Sequence, residues 1–182
     1  LEYDGVTGNA ILSGKVVLTE NGQILKAPLV RYNTQSKIAQ YDHFGEIFAN
    51  DLYAKSKKGY YYRNDSKIYL IQQAKLKKGD LLIIGDSIEY QIEFKKISFF
   101  KNTEFYLKQQ HGQCNNGFYD TESKKGALFQ KVQLKDSLGK VVYCDSLFFS
   151  DSPAFQEIKG PFKLIDSVQE INVSANHLLR WP

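Results

Sequence analysis

A unit of about 29 residues, written five times and then blurred, constrains this chain more than any other feature. Its clearest copy is Gly79 to Phe100, GDLLIIGDSIEYQIEFKKISFF. The unit has an apolar strand, a small residue followed by Asp, an apolar-x-aromatic ending, a short polar turn with lysines and a second apolar strand. The closing aromatic recurs at Tyr32, Tyr62, Tyr90, Tyr119 and Phe149, with a decayed copy at Leu179. A period in this range marks a repeat architecture in which no unit can bury both its faces alone, so stacking on neighbours must close the core.

Within the units, apolar and polar residues alternate at the period of a strand. Val16 and Leu18 share one face of the strand ending at Thr19, and Ile24 to Tyr32 forms the next. Glu20-Asn21-Gly22 is a hairpin turn, and NTQSK (Asn33 to Lys37) and RNDSK (Arg63 to Lys67) are turns in corresponding places. Leu82, Ile84, Ile88 and Tyr90 share one parity, yet Asp86 falls among them. A carboxylate on a buried face would be costly. The small-Asp steps Gly85-Asp86 and Cys144-Asp145 therefore predict a bulge or corner that turns the strand and throws the Asp outward. No 12-residue segment carries apolar residues at helical spacing, so the expected fold is all-β with almost no helix. The chain reads as one repeat domain over residues 1–182, its last unit degenerate from about residue 161 and ending in Arg180-Trp181-Pro182.

The 182 residues include 12 Tyr and 12 Phe but only 4 Pro, a balance suited to strands. Net charge is +4, spread as single lysines and short pairs. No basic block suggests a nucleic-acid partner, so none is expected. No run of about 18 apolar residues is present to form a membrane-spanning helix. Cys114 and Cys144 hold the same position of neighbouring units, which makes either a disulfide or two small core side chains conceivable. With His43, His111 and His177 scattered, no metal site or cofactor is expected.

Gly85-Asp86-Ser87-Ile88 imitates the nucleophile block of some serine hydrolases. Such a nucleophile needs a strand-to-helix turn and a nearby histidine. No helix follows, and Cys144-Asp145-Ser146-Leu147 repeats the block at the equivalent position, so both read as repeat grammar and no enzyme is expected.

The stretch Gly8 to Tyr41, with Gly14, Val16 and Leu18 followed by Ala27, Val30, Tyr32 and the NTQSK turn, resembles the OstA-like family. Leu52-Tyr53-Ala54 through Tyr62 and Gly79-Asp80 through Tyr90 repeat the resemblance. It is good from Gly5 to about Leu107 and thereafter is carried by the period alone. The family includes periplasmic lipopolysaccharide-transport protein A and the N-terminal domain of its outer-membrane partner. The resemblance implies a β-taco, or β-jelly roll: antiparallel strands folded into a V-shaped pair of sheets with an apolar groove. It also implies a periplasmic location, lipopolysaccharide as ligand, and other transport proteins or further copies of the chain joined head to tail through terminal strand edges. The opening at Leu1 is what a sequence whose export signal has been removed would show. On this reading the groove is lined by Val16, Leu18, Val30, Tyr32, Ile38, Tyr60, Tyr62, Ile68, Leu82, Ile84, Ile88, Tyr90, Leu147 and Phe149. Lys15, Lys26, Lys57, Lys58 and Lys67 are the candidates for lipid phosphates. The alternative is a ligand-free β-repeat module that assembles end to end or scaffolds a larger complex.

Overall fold

The computed structural model describes residues 1–20, 22–151 and 153–180. Asn21 of the expected hairpin turn, and Trp181 and Pro182 of the C-terminal tripeptide, lie outside the described residues. Those residues form fifteen strands and no helix: β1 (Glu2–Asp4), β2 (Asn9–Glu20), β3 (Gln23–Asn33), β4 (Ile38–Tyr41), β5 (Gly45–Ala49), β6 (Leu52–Ser56), β7 (Lys58–Tyr62), β8 (Lys67–Lys78), β9 (Leu81–Gln91), β10 (Lys96–Leu107), β11 (Gln110–Asp120), β12 (Lys125–Lys135), β13 (Val141–Asp151), β14 (Ala154–Asp166) and β15 (Ile171–Arg180). All pair antiparallel in one continuous sheet, almost always with the next strand in the chain.

Every long strand changes direction near its middle. In β2, β8, β10, β12 and β14 a two-residue bulge opposes a single residue on a neighbouring strand, and the register shifts there. The bulges are built from left-handed backbone: Gly14, Gln72–Gln73, Lys101–Asn102, Gln130–Lys131 and Gly160 all have positive φ. The single residues facing them include Asp86 and Asp145, both exposed. The small-Asp step is thus the corner its charge required. An extra residue on alternate strands bends the ladder locally, and the stacked bulges form one continuous crease. The crease divides the sheet into two half-sheets that fold onto each other.

Around Tyr41 the crease is cut through. There two would-be long strands are each split, into β4 with β5 and β6 with β7, so that β3 pairs with β4 on one half-sheet and with β5 on the other. Tyr41 plugs this gap. It is 1% exposed, and the ring lies so close to Gly45 and Gly59 that a Cβ on either would approach to 2.6 and 2.4 Å.

The backbone repeats with a sharper period than the side chains suggest. The last residue of each turn on one rim is left-handed at Gly8, Lys37, Ser66, Lys95 and Lys124, each 29 residues beyond the one before. Asx caps fix several of these turns. Asp4 accepts from the amides of Val6 and Thr7, Asn33 from Gln35 and Ser36, and Asp120 from Glu122 and Ser123. Each cap satisfies amides that the tight turn would leave unpaired.

The core lies between the half-sheets. Phe105, on one of them, packs against Phe99, Tyr119 and Phe149 on the other, with ring centroids 6.0, 6.2 and 5.4 Å apart. Each such fully buried side chain contributes about 1.5–3 kcal/mol of hydrophobic stabilisation.

Candidate functional site: the trough between the half-sheets

On the first half-sheet, two inward rows run the length of the molecule. The row beside the crease reads Leu12, Val30, Tyr41, Gly59, Leu70, Ile88, Phe99, Gly117, Leu128, Leu147, Ile158 and Leu178. The row nearer the rim carries Tyr32, Ala39, Tyr61, Ile68, Tyr90, Ile97, Tyr119 and Phe149 in direct register. On the second half-sheet the facing row is Leu18, Leu25, Ile47, Ala54, Leu76, Ile83, Phe105, Gly112, Leu134, Val142, Leu164 and Val173. A one-sided apolar pattern, held in register across bulges, makes a continuous apolar lining, which turns polar only where the rim row ends in Gln156 and Arg180.

Of the expected lining residues, Val16, Leu18, Val30, Tyr32, Ile68, Ile88, Tyr90, Leu147 and Phe149 belong to the inner core or pack on it. Five do not. Leu82 and Ile84 face outward while Leu81 and Ile83 are buried, because the corner at Asp86 reverses the parity of β9. Ile38 and Tyr62 lie in an outer row with Lys67, and Tyr60 stacks on Tyr62 outside, with centroids 6.1 Å apart. The inward aromatic of β7 is Tyr61, which stands 29 residues from both Tyr32 and Tyr90. The fifth unit carries one extra residue, which moves the aromatic to Phe149 and brings Arg180, not Leu179, into the terminal position of that row.

The lysine candidates are not brought together at the groove. Lys15 and Lys57 lie on the crease, opposite the mouth, and Lys58 begins β7 beside it. Lys26 lies outside, over the Phe48 ring at 5.0 Å, and Lys67 over Tyr62 at 4.8 Å. Cation–π contact with neighbouring rings, rather than a shared anion, accounts for the last two. Sequence reasoning also missed Leu25, Ile47, Leu76, Ile83, Phe99 and Phe105 as lining. A strict step of 29 would have found Ile47, Leu76 and Phe105 from Leu18.

Cys114 and Cys144 are both buried and free. They share the row that borders the crease on the second half-sheet, but Val132 of β12 stands between them. Two strand spacings, roughly 9–10 Å, exceed the reach of a disulfide. Burial pushes the Cys114 thiol up to about 12 and the Cys144 thiol up to about 11.

The trough is dry at its centre and open towards its ends. Leu70, Ile83, Ile88, Phe99 and Leu128 are completely buried. Near β2 a cavity of about 220 Å³ lies between Leu18, Leu25 and Ile47 on one side and Tyr32, Ala39 and Tyr61 on the other. Towards β15 an opening of about 580 Å³ is lined by Val142, Leu147, Ile158, Leu164 and Leu178. Beside it, at the mouth, is one of about 400 Å³ between Leu107, Lys108 and Gln110 and Phe149, Asp151 and Arg180. The last two volumes fall within the roughly 300–1,000 Å³ range of small-molecule sites.

The family described as OstA-like protein matches residues 1–86. No curated protein matches the chain by sequence. The crystal structure of LptH from Pseudomonas aeruginosa is similar in fold, with a TM-score of 0.50 at 6% sequence identity, covering 72% of this chain and 94% of that one. LptH is described as the LptA-homologous periplasmic component of the conserved lipopolysaccharide transport device. The OstA-like similarity thus spans residues 1–86, and the same sheet continues from there through β15.

Proposed function

We propose that this chain is a periplasmic module that carries lipopolysaccharide towards the outer membrane. The acyl chains lie between the half-sheets and the sugars and phosphates remain at the mouth. One observation carries the reading: apolar rows face each other along the whole trough and leave it unfilled towards its ends, most widely near β15. Each buried methylene contributes about 0.8 kcal/mol, so a lipid with several chains would be held firmly along such a lining. The similarity to LptH and the OstA-like match support the reading. The dry centre adds a requirement, because acyl chains can pass Phe99 and Phe105 only when the half-sheets spread. No catalytic step belongs to this role. Unpaired strand edges add strands from other chains. The second half of β2 and the whole of β15 each pair on one side only among the described residues, so OstA-like partners or further copies would join there.

A photo-crosslinking amino acid at Leu178 or Leu18 should label added lipopolysaccharide, and one at Leu82 or Tyr60 should not. Equal labelling from both faces, or none from the inner one, overturns the proposal. The complete burial of the central core favours one other reading, a ligand-free scaffold. It is supported if no inner position labels lipid while light scattering shows lipid-independent linear polymers.

A further inference from the structure

Three contacts join the two rims across the mouth of the trough. Near β2, Arg63 Nη2 lies 2.7 Å from Glu20 Oε1. Midway, the Lys78 ammonium, ion-paired to Asp51 on its own rim, lies 6.0 Å from the centre of the Tyr90 ring opposite. Further on, Lys108 Nζ lies 3.1 Å from Asp151 Oδ2. Glu20, Lys78 and Lys108 belong to the ends of strands or turns on the second half-sheet, whereas Arg63, Tyr90 and Asp151 belong to the first. Glu20 and Arg63 stand 43 residues apart, as do Lys108 and Asp151, which is one and a half repeat units. The contacts are thus placed by the repeat, at intervals along the length. The Asp51 carboxyl is held below its usual range, first by the hydrogen bond from Lys78 and more weakly by Lys124 of the opposite rim.

Most of these side chains are exposed, though Lys78 keeps only 19% of its surface and Asp151 26%. The Arg63 and Glu20 side chains keep 41% and 35% of their surface, and Lys108 keeps 60%. Exposed carboxylate pairs of this kind hold weakly and are screened by salt. A phosphate monoester carries more charge and more acceptor oxygens than a carboxylate, and guanidinium binds it in a bidentate way. A lipid whose chains enter the trough would bring its headgroup phosphates to this line of cations.

We propose that Arg63, Lys78 and Lys108 are phosphate-binding residues of the mouth, masked at rest by Glu20, Asp51 and Asp151, and that a phosphorylated lipid headgroup takes them over, undoing the clasp and letting the rims part. This rests on the lipid-carrier reading above. The cations concerned are none of the five lysines expected from the sequence.

The test compares bis-phosphorylated lipid A, the same lipid A with its phosphates removed, and inorganic phosphate. Affinity is read by fluorescence, and rim separation by spin labels on Asp80→Cys and Ser123→Cys, with the native cysteines buried. The intact protein should prefer the phosphorylated lipid by roughly tenfold, as charge-assisted pairing at several sites would give, and its rims should separate on binding. Arg63→Gln/Lys78→Gln/Lys108→Gln should bind both lipids alike. Glu20→Gln/Asp51→Asn/Asp151→Asn, which keeps the cations, should bind the phosphorylated lipid more tightly and show wider rims before lipid is added. An unchanged preference in the first variant, or unchanged affinity and rims in the second, overturns the proposal while leaving the carrier reading intact. If neither lipid binds the intact protein, both fall. Equal opening by inorganic phosphate alone overturns the lipid headgroup as the source.

Discussion

The Tyr41 hydroxyl lies 2.7 Å from Ser56 Oγ, and Ser56 Oγ in turn donates to the Lys58 carbonyl at 2.5 Å. Because the serine hydrogen is committed to that carbonyl, Tyr41 is the donor of the pair. Burial pushes the Tyr41 phenol up to about 12, so it stays protonated and able to donate at any ordinary pH. Removing the hydroxyl in Tyr41→Phe should destabilise the fold by about 1 kcal/mol, the net worth of one such bond. Gly59→Ala should destabilise it by about 1–3 kcal/mol through overpacking, because the new Cβ meets the Tyr41 ring at 2.4 Å and the ring is walled in by Gly45. Urea denaturation midpoints check both, and an alanine tolerated without loss would disprove the plug.

The corner residues offer a test with opposite signs. Gln72 and Gln73 are exposed and held at φ 61 and 55, a conformation that L side chains adopt only at some cost. Gln72→Gly should raise stability slightly or leave it unchanged. Gly160→Ala, at φ 96, should lower it by about 1 kcal/mol or more. No atom lies near the Gly160 Cβ position, so any loss reports backbone strain alone. Thermal melts of the two variants should move apart.

Both cysteines should resist alkylation at pH 8 in the folded protein and react together on unfolding. Their thiols are buried and titrate well above that pH, and β12 separates them. Mass spectrometry after iodoacetamide gives the answer. Rapid labelling of either in the native state, or an intact disulfide, would contradict the packing of the crease.

Acid should loosen the turns first. Turn amides hold the Asp120 and Asp166 carboxyls below their usual range, the amide of Ser123 chiefly for the first and of Gln169 for the second. A carboxyl depressed in the folded state stabilises the fold above its unfolded pKa of about 3.9 and loses that contribution as pH falls towards the lower, folded value. The melting temperature should therefore decline below about pH 4. Asp120→Asn/Asp166→Asn, which keeps the cap acceptors but not the titration, should decline less steeply. A variant with the same acid slope as the parent would show that other groups govern it.

Much of the architecture is readable in the chain, and the misreadings have local causes. The alternation of β2, the turns NTQSK and RNDSK and the small-Asp corners point to strands, hairpins and bends where the structure has them. Leu82 and Ile84 were misplaced because a corner reverses which residues face inward, and a parity carried straight across Asp86 has the wrong sign on one side of it. Tyr60 and Tyr62 read as inward in place of Tyr61 because three tyrosines in succession conceal a slip of one residue. The rim pairs were illegible for a different reason. Glu20 and Arg63 meet only because the sheet doubles over, so no local pattern could join them before the crease was known.

The crease also has a mechanical meaning. The left-handed residues of alternate strands fall on one line along the crease, so a small concerted change in their backbone angles would swing one half-sheet against the other while both hydrogen-bond ladders stayed whole. With such a hinge the molecule would gape like a book about its spine without tearing a page. At Tyr41, where two strands are already severed and a ring is wedged between two glycines, that spine is stapled, so the pages should fan most freely away from it, at the end formed by β13 to β15.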